Sequence, residues 1–85
     1  MTSDELRATV LRVLGEVAPD ADLTSLGPEE DLRQRIDLDS MDHLNFVIGL
    51  HQATGVEIPE RDYAKLVTLR GAVSYLAARL GLAHT

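Results

Sequence analysis

The sequence predicts an all-α fold: a small four-helix bundle with a long loop between the first two helices and a short third helix. Three observations lead to it. Apolar residues recur at helical spacing in three stretches, whereas apolar and polar residues alternate only briefly, after Gly55. Glycine and proline stand between these stretches, where helices end. A length of 85 residues indicates one domain, residues 1–85, with a small core.

The first helix is predicted from Ser3 to Val17. Its inner face is a set of five apolar residues at helical spacing, namely Leu6, Val10, Val13, Leu14 and Val17. Thr2 and Glu5 have the spacing of a capping box, which satisfies backbone amides at a helix start. Pro19 follows the expected end.

Residues 18–39 form the long connection, which Pro19, Gly27 and Pro28 keep from being one helix. Residues 29–35 are predicted to form a short helical turn within it. A connection of this length in a small domain is usually functional or only partly ordered. Its apolar residues argue against disorder because they can pin it to the helices, and they are Leu23, Leu26, Leu32, Ile36 and Leu38.

The second helix is predicted from Ser40 to Ala53, with Asp39 as its N-cap and Asp42 in the first turn, where a carboxylate is favourable. Gly55 ends it. Two apolar stripes run along this helix. The first is predicted to be core and comprises Phe46, Val47 and Leu50; the second begins beside Ser40 and comprises Met41, Leu44 and Ile48. Either the long loop covers the second stripe, or it is a partly exposed ridge that partners contact.

The C-terminal third holds the two remaining helices. Pro59 indicates the start of a short helix, about Glu60 to Lys65, and Thr68 is the predicted N-cap of the last helix, which Gly81 ends. The inner face of the last helix is predicted to comprise Leu69, Ala72, Val73, Leu76 and Leu80. The tail to Thr85 is expected to be loose.

The chain contains no cysteine, which excludes disulfides, cysteine-based zinc sites and thiol chemistry by the protein itself. This composition fits a reducing compartment, and we expect a cytoplasmic protein. The N-terminus has no basic segment followed by an apolar run, so it does not resemble a signal peptide. No apolar run approaches the length needed to span a membrane.

The negative charge is concentrated in one segment. Residues 20–42 contain eight acids and two bases, which accounts for the whole net charge of −6, since the remaining acids and bases balance. Such a field opposes binding to nucleic acid or anionic membranes and attracts basic protein surfaces. It is either an ordinary solvated loop or a docking surface, and its position beside Ser40 favours the latter.

The tetrapeptide Asp39-Ser40-Met41-Asp42 resembles the attachment site of acyl carrier proteins and related phosphopantetheine-binding carrier domains. Residues 55–59 are similar to the segment after that family's second helix, and the stretch from Thr68 to Leu76 is similar to its last helix. The likeness therefore covers nearly the whole chain. It implies the carrier-protein version of the four-helix bundle.

The resemblance implies that a phosphopantetheinyl transferase esterifies Ser40 with 4'-phosphopantetheine from coenzyme A, making the chain a phosphoprotein. The thiol of this covalent cofactor would hold an acyl cargo as a thioester. The chain would be a monomeric carrier and not an enzyme, presenting its cargo to acyl- or aminoacyl-loading and -transferring enzymes with basic surfaces. Asp39 and Asp42 would flank the attachment site, and the partner contacts would be Met41, Leu44, Ile48 and Asp37.

The chain departs from the family pattern at several positions. Asp37 stands where many carriers have glycine. Asn45, His51 and Gln52 stand at outward positions where carriers of fatty acid synthesis usually have acids. We therefore expect a specialised pathway of fatty acid or polyketide type with its own enzymes. The alternatives are an aminoacyl or peptidyl carrier, and a non-catalytic interaction module without a prosthetic group.

Other chemistries fit the residues less well. A hydrolase would pair Ser40 with His43 and Asp39, but the sequence lacks a glycine-flanked nucleophile elbow. A calcium loop starting at Asp37 fails at its fifth, sixth and twelfth positions. His43 and His51 lie two helical turns apart, so we predict an exposed helix face for both and no metal site.

Overall fold

The computed structural model describes residues 1–82, and within them every regular element is helical. The elements are α1 (Ser3–Val17), α2 (Leu32–Arg35), α3 (Ser40–Thr54), the 3₁₀ helix η1 (Glu60–Leu66) and α4 (Leu69–Leu80). The predicted all-α class is confirmed, and the four predicted helices agree with α1, α3, η1 and α4 to within a residue. The helical turn expected in the long connection is α2. The predicted loose tail beyond residue 82 lies outside the described residues.

Helix α1 is the centre of the bundle because it packs against both α3 and α4, while η1 packs against α4. The predicted inner faces of α1 and α3 are confirmed: Leu6, Val10, Leu14, Phe46 and Leu50 have no exposed surface. Apart from Tyr75, aliphatic side chains fill the remaining core of this chain, which has three aromatic residues in all. Burial of this apolar surface is the main force that holds the helices together.

The helix ends follow local chemistry. The Thr2 hydroxyl accepts a 3.1 Å hydrogen bond from the Glu5 amide, and the Glu5 carboxylate accepts one of 2.8 Å from the Thr2 amide, so the predicted capping box is present. Helix α3 ends at Gly55, whose φ of 74° is left-handed and favours glycine. These local interactions explain why the boundaries were predictable.

The long connection between α1 and α3 is ordered by burial and by backbone hydrogen bonds. Leu26, Leu32 and Leu38 are buried, as predicted, while Leu23 and Ile36 pack partly buried against the core. The Leu32 amide donates to the Val67 carbonyl at 2.8 Å, and the Arg70 amide donates to that of Pro28 at 2.8 Å. The connection is thus attached to the junction between η1 and α4.

Helices α1 and α3 cross closely at Gly49. A Cβ atom at this position would lie 2.6 Å from Cγ1 of Val13, which is closer than side-chain carbons approach one another. Glycine therefore allows α3 to lie directly against α1.

Leu80 is a correction to the predicted inner face of α4, because it is 37% exposed. The reason lies in the left-handed turn at Gly81, which reverses the chain after α4 and lets the Leu82 amide bond to the Ala77 carbonyl at 2.9 Å. Leu82 packs partly buried against the core instead. No helix within residues 1–82 has the length and apolarity to cross a membrane.

Candidate functional site

Ser40 is the first residue of α3, and its side chain is exposed. The N-cap before it is Asp39, whose carboxylate accepts a 2.8 Å hydrogen bond from the Asp42 amide. The Asp42 carboxylate in turn accepts from the Asp39 amide at 3.5 Å, which completes a capping box around the serine. Because the aspartates satisfy the helix end, the Ser40 hydroxyl makes no hydrogen bond within residues 1–82. It is therefore free to react with a group brought from outside.

The backbone turns sharply just before the serine. Asp37 has a φ of 55°, the one non-glycine residue with positive φ among those described. This left-handed conformation lets buried Leu38 anchor the chain in the core while Asp39 and Ser40 face outward. It also gives a physical reason why a glycine suits this position, since glycine adopts positive φ without steric cost.

An acidic groove of about 470 Å³ lies on one side of this turn, between the end of α1 and the segment preceding Ser40. Four aspartates line it together with Arg35, namely Asp20, Asp22, Asp37 and Asp42. Arg35 is engaged by Glu30 at 3.1 Å and donates to the Ser25 hydroxyl at 2.8 Å. Hydrogen bonds from Thr24 lower the pKa of Asp22, so that carboxylate is ionised at neutral pH. The predicted concentration of negative charge beside Ser40 is therefore present on the folded surface.

A more apolar groove lies on the other side of Ser40, between α3 and η1. It contains two pockets. The first, of about 310 Å³, is lined by Ser40, His43, Leu44, Glu60 and Tyr63. The second, of about 290 Å³, is lined by Val47, Ile48, His51, Glu57, Ile58 and Tyr63. Both are open to solvent, so a flexible group attached at Ser40 would have access to this groove.

The second apolar stripe of α3 is not covered by the long loop. Met41 is 63% exposed and Ile48 is 44% exposed, while Leu44 is half-buried at the first pocket. The exposed-ridge alternative is the one that the geometry supports, because apolar side chains of this size are available for contact. That partners contact Met41, Leu44, Ile48 and Asp37 remains a prediction.

His43 is a second correction, because we predicted an exposed helix face for it and the side chain is buried. Its Nε2 lies 3.2 Å from the Leu66 carbonyl, which can only accept a hydrogen bond, so Nε2 is the protonated nitrogen. The ring thereby links α3 to the end of η1. His51 is exposed as predicted, with Nδ1 2.8 Å from the Val56 carbonyl.

This arrangement does not form a hydrolytic triad. The carboxylate of Asp39 bonds to the Asp42 amide, and the bonded nitrogen of His43 faces a backbone carbonyl. A triad needs the imidazole to link the carboxylate and the hydroxyl. Residues 1–82 also contain no cluster of three or more side chains suited to hold a metal ion.

Helix η1 is held on α4 by a buried carboxylate that the sequence analysis missed. Asp62 accepts a 2.7 Å hydrogen bond from the Tyr75 hydroxyl and pairs with Lys65 and Arg79, each at 3.3 Å. The Arg79 guanidinium also lies 4.8 Å from the centre of the Tyr75 ring. The only signal in the sequence was an aspartate and a tyrosine 13 residues apart, which no periodicity connects.

Comparisons with known proteins identify relatives across most of the chain. Residues 4–76 match the family described as "Phosphopantetheine attachment site". The acyl carrier protein of Rubrobacter xylanophilus is 30% identical over 73 residues, which make up 82% of this chain and 90% of that protein. The acyl carrier protein of Acidothermus cellulolyticus is 28% identical over 79 residues, or 91% of this chain and 90% of that protein.

A solved structure of the acyl carrier protein from Enterococcus faecalis superimposes with a TM-score of 0.79. The match covers 93% of this chain and 99% of that chain at 24% sequence identity. The arrangement of the helices is therefore shared with that structure.

Proposed function

Because this chain belongs to the family of phosphopantetheine attachment domains, we propose that Ser40 carries the prosthetic arm and that the protein presents an acyl cargo to the enzymes of a specialised pathway. Acyl carrier proteins are carriers and not catalysts, and membership implies a covalently attached 4'-phosphopantetheine.

The observation that carries the assignment is the free hydroxyl of Ser40 at an exposed helix start. The aspartates on either side cap α3, so esterification of the serine removes no hydrogen bond of the fold. A phosphodiester there would lie at the positive end of the helix dipole, which favours an anion. The residues present therefore fit the group.

The chain's own residues would position Ser40 and present the acyl cargo. The left-handed turn at Asp37 and the capping box at Asp39 and Asp42 fix the direction in which Ser40 faces. The hydroxyl has no hydrogen bond to a base within residues 1–82, so we expect the transferase to remove its proton. When attached, the arm supplies a thiol on which an acyl group is held as a thioester. The groove between α3 and η1 would shelter part of that cargo.

The proposed partners are a phosphopantetheinyl transferase and acyl-loading and -transferring enzymes with basic surfaces. The acidic groove beside Ser40 supports this choice, because opposite charge steers partners together. We propose that they contact the ridge of Met41, Leu44 and Ile48.

A specialised pathway is supported by the outer surface of α3. Asn45, His51 and Gln52 are all exposed, so the carboxylates usual in carriers of fatty acid synthesis are replaced on an accessible face. Enzymes that depend on those carboxylates would bind this chain poorly. A cytoplasmic monomer is part of the same proposal, and the cysteine-free composition is compatible with a reducing compartment.

The assignment is tested by intact mass after incubation with coenzyme A and a broad-specificity transferase. Wild type should gain the mass of one phosphopantetheinyl group, Ser40→Ala should gain none, and Ser74→Ala, a matched change at another exposed serine, should behave as wild type. An unmodified wild type would favour an interaction module without prosthetic group. If Ser40→Ala still gained the mass of the group, the attachment site would be a residue other than Ser40.

A further inference from the structure

Tyr63 lines both pockets of the groove between α3 and η1. On the α3 side the lining is continuous, because Ser40, Leu44 and Ile48 follow one another at intervals of four residues, as do His43, Val47 and His51. Each interval advances roughly 6 Å along a helix. Nevertheless two separate pockets lie along this groove, and within residues 1–82 Tyr63 is the residue that lines both.

The backbone that carries Tyr63 is held in place from behind. Its neighbour Asp62 is buried and accepts the 2.7 Å hydrogen bond from Tyr75 of α4. Lys65 and Arg79 pair with the same carboxylate. Because Tyr75 and Arg79 belong to α4, moving η1 away from α3 would separate Asp62 from them or carry α4 with it. A wider groove is therefore obtained more readily by changing the side chain at residue 63 than by moving the helix.

The Tyr63 ring is half-buried and packs against the core, whereas its hydroxyl makes no hydrogen bond within residues 1–82. Packing of the ring, and not a polar contact, thus keeps the side chain between the pockets. A phenylalanine would keep the partition, and an alanine would remove it.

We propose that Tyr63 determines the size of the cargo that this carrier shelters, by closing the groove between the two pockets. The inference rests on the proposed function of Ser40. Along α3 the first pocket extends from Ser40 to Leu44 and the second from Val47 to His51, so each spans about one helical turn, roughly 6 Å. An extended butyryl chain fits such a length, whereas an extended decanoyl chain is longer. The protein therefore shelters a short acyl group within one pocket and leaves the distal part of a long one in solvent.

The test uses wild type, Tyr63→Ala and Tyr63→Phe. A transferase loads each on Ser40 with the acyl-phosphopantetheinyl group of butyryl- or decanoyl-coenzyme A and releases adenosine 3',5'-bisphosphate. Intact mass establishes the loading, and NMR amide chemical shifts report which residues of α3 contact the cargo. In wild type and Tyr63→Phe, both acyl groups should shift the amides of a single pocket. In Tyr63→Ala, decanoyl should shift the amides of both pockets, while butyryl still shifts those of one.

The proposal for Tyr63 would be overturned if decanoyl shifted the amide resonances of both pockets in wild type. It would also be overturned if decanoyl shifted those of only one pocket in Tyr63→Ala. A failure of every variant to gain mass would instead overturn the proposed function, together with the inference that rests on it. Should Tyr63→Ala not give the NMR spectrum of a folded protein, Tyr63→Leu, which keeps an apolar contact but shortens the side chain, serves for the same comparison.

Discussion

The hydroxyl of Tyr75 donates a 2.7 Å hydrogen bond to the carboxylate of Asp62, and both side chains are buried between η1 and α4. This bond is the largest cause of a lowered pKa at Asp62, with Lys65 adding to it and burial opposing it. For Tyr75, burial and the bond to Asp62 raise the pKa of the phenol. The pair therefore favours an ionised aspartate beside a neutral tyrosine.

Acid should weaken the attachment of η1. The pKa of Asp62 is lower in the folded protein than in the unfolded chain, where it is about 3.9. The ionised carboxylate therefore adds fully to the free energy of unfolding above the unfolded pKa, and this stabilisation is lost as pH falls through the folded pKa. At about pH 7, Asp62→Asn should have a lower free energy of unfolding than wild type. Between about pH 7 and about pH 3, the free energy of unfolding should fall less in Asp62→Asn than in wild type. Urea unfolding at both pH values measures this, with Asp20→Asn at an exposed acid as control. Equal acid sensitivity of wild type and Asp62→Asn would remove the role assigned to this carboxylate.

Leu50 should prove part of the stabilising core. It has no exposed surface, so Leu50→Ala should lower the free energy of unfolding by about 2–5 kcal/mol. Ile48→Ala on the same helix is the matched control, because Ile48 is 44% exposed and should cost far less. Chemical denaturation of the two variants gives the comparison, and similar losses at both positions would contradict the burial pattern.

The turn at Asp37 should accept glycine and reject a β-branched residue. Asp37→Gly relieves a left-handed conformation worth about 1–2 kcal/mol and adds unfolded-state freedom worth about 0.5–1 kcal/mol, so the net change should be small. Asp37→Val has no such relief and should be clearly destabilised. Urea unfolding of both variants checks the difference. A valine variant as stable as the glycine variant would argue against the positive φ.

Leu44 should matter more for loading than for folding. It is half-buried at the first pocket, so Leu44→Gln should retain most of the stability while transfer by partner enzymes slows. A fully buried amide would instead cost roughly 1–3 kcal/mol. Denaturation and a loading assay on the same variant separate the two cases, with Asn45→Gln at an exposed neighbour as control. Large destabilisation with normal loading of the folded fraction would contradict the ridge.

Association with the transferase should weaken as salt is added. The aspartates of the groove beside Ser40 are on the surface, and charges there are screened beyond roughly 8 Å at physiological ionic strength. The apparent KM for the carrier should therefore rise with ionic strength, and Asp20→Asn combined with Asp22→Asn should flatten that rise. A KM independent of salt would exclude electrostatic steering.

Sequence reasoning succeeded where the determinants are local. The capping residues Thr2 and Asp39, the terminating Gly55 and the core stripe of α3 depend on neighbours within one or two helical turns. The position of Ser40 as the first residue of α3 followed from the same local pattern.

Sequence reasoning failed where the determinants come from packing between elements. Burial of His43 depends on the position of the Leu66 carbonyl, and the role of Asp62 depends on Tyr75 in another helix. Exposure of Leu80 depends on the chain reversal that places Leu82 against the core. None of these relations repeats at helical spacing, so no periodic pattern could indicate them.

The capping of α3 by Asp39 and Asp42 has a consequence for how the protein is maintained. Since the serine hydroxyl contributes no bond to the fold, attachment of the group removes none, and modified chains should unfold no more readily than unmodified ones. Degradation that acts on unfolded molecules then does not shorten the lifetime of the modified chains. A cell can therefore modify all of its carrier molecules without exposing them to faster turnover.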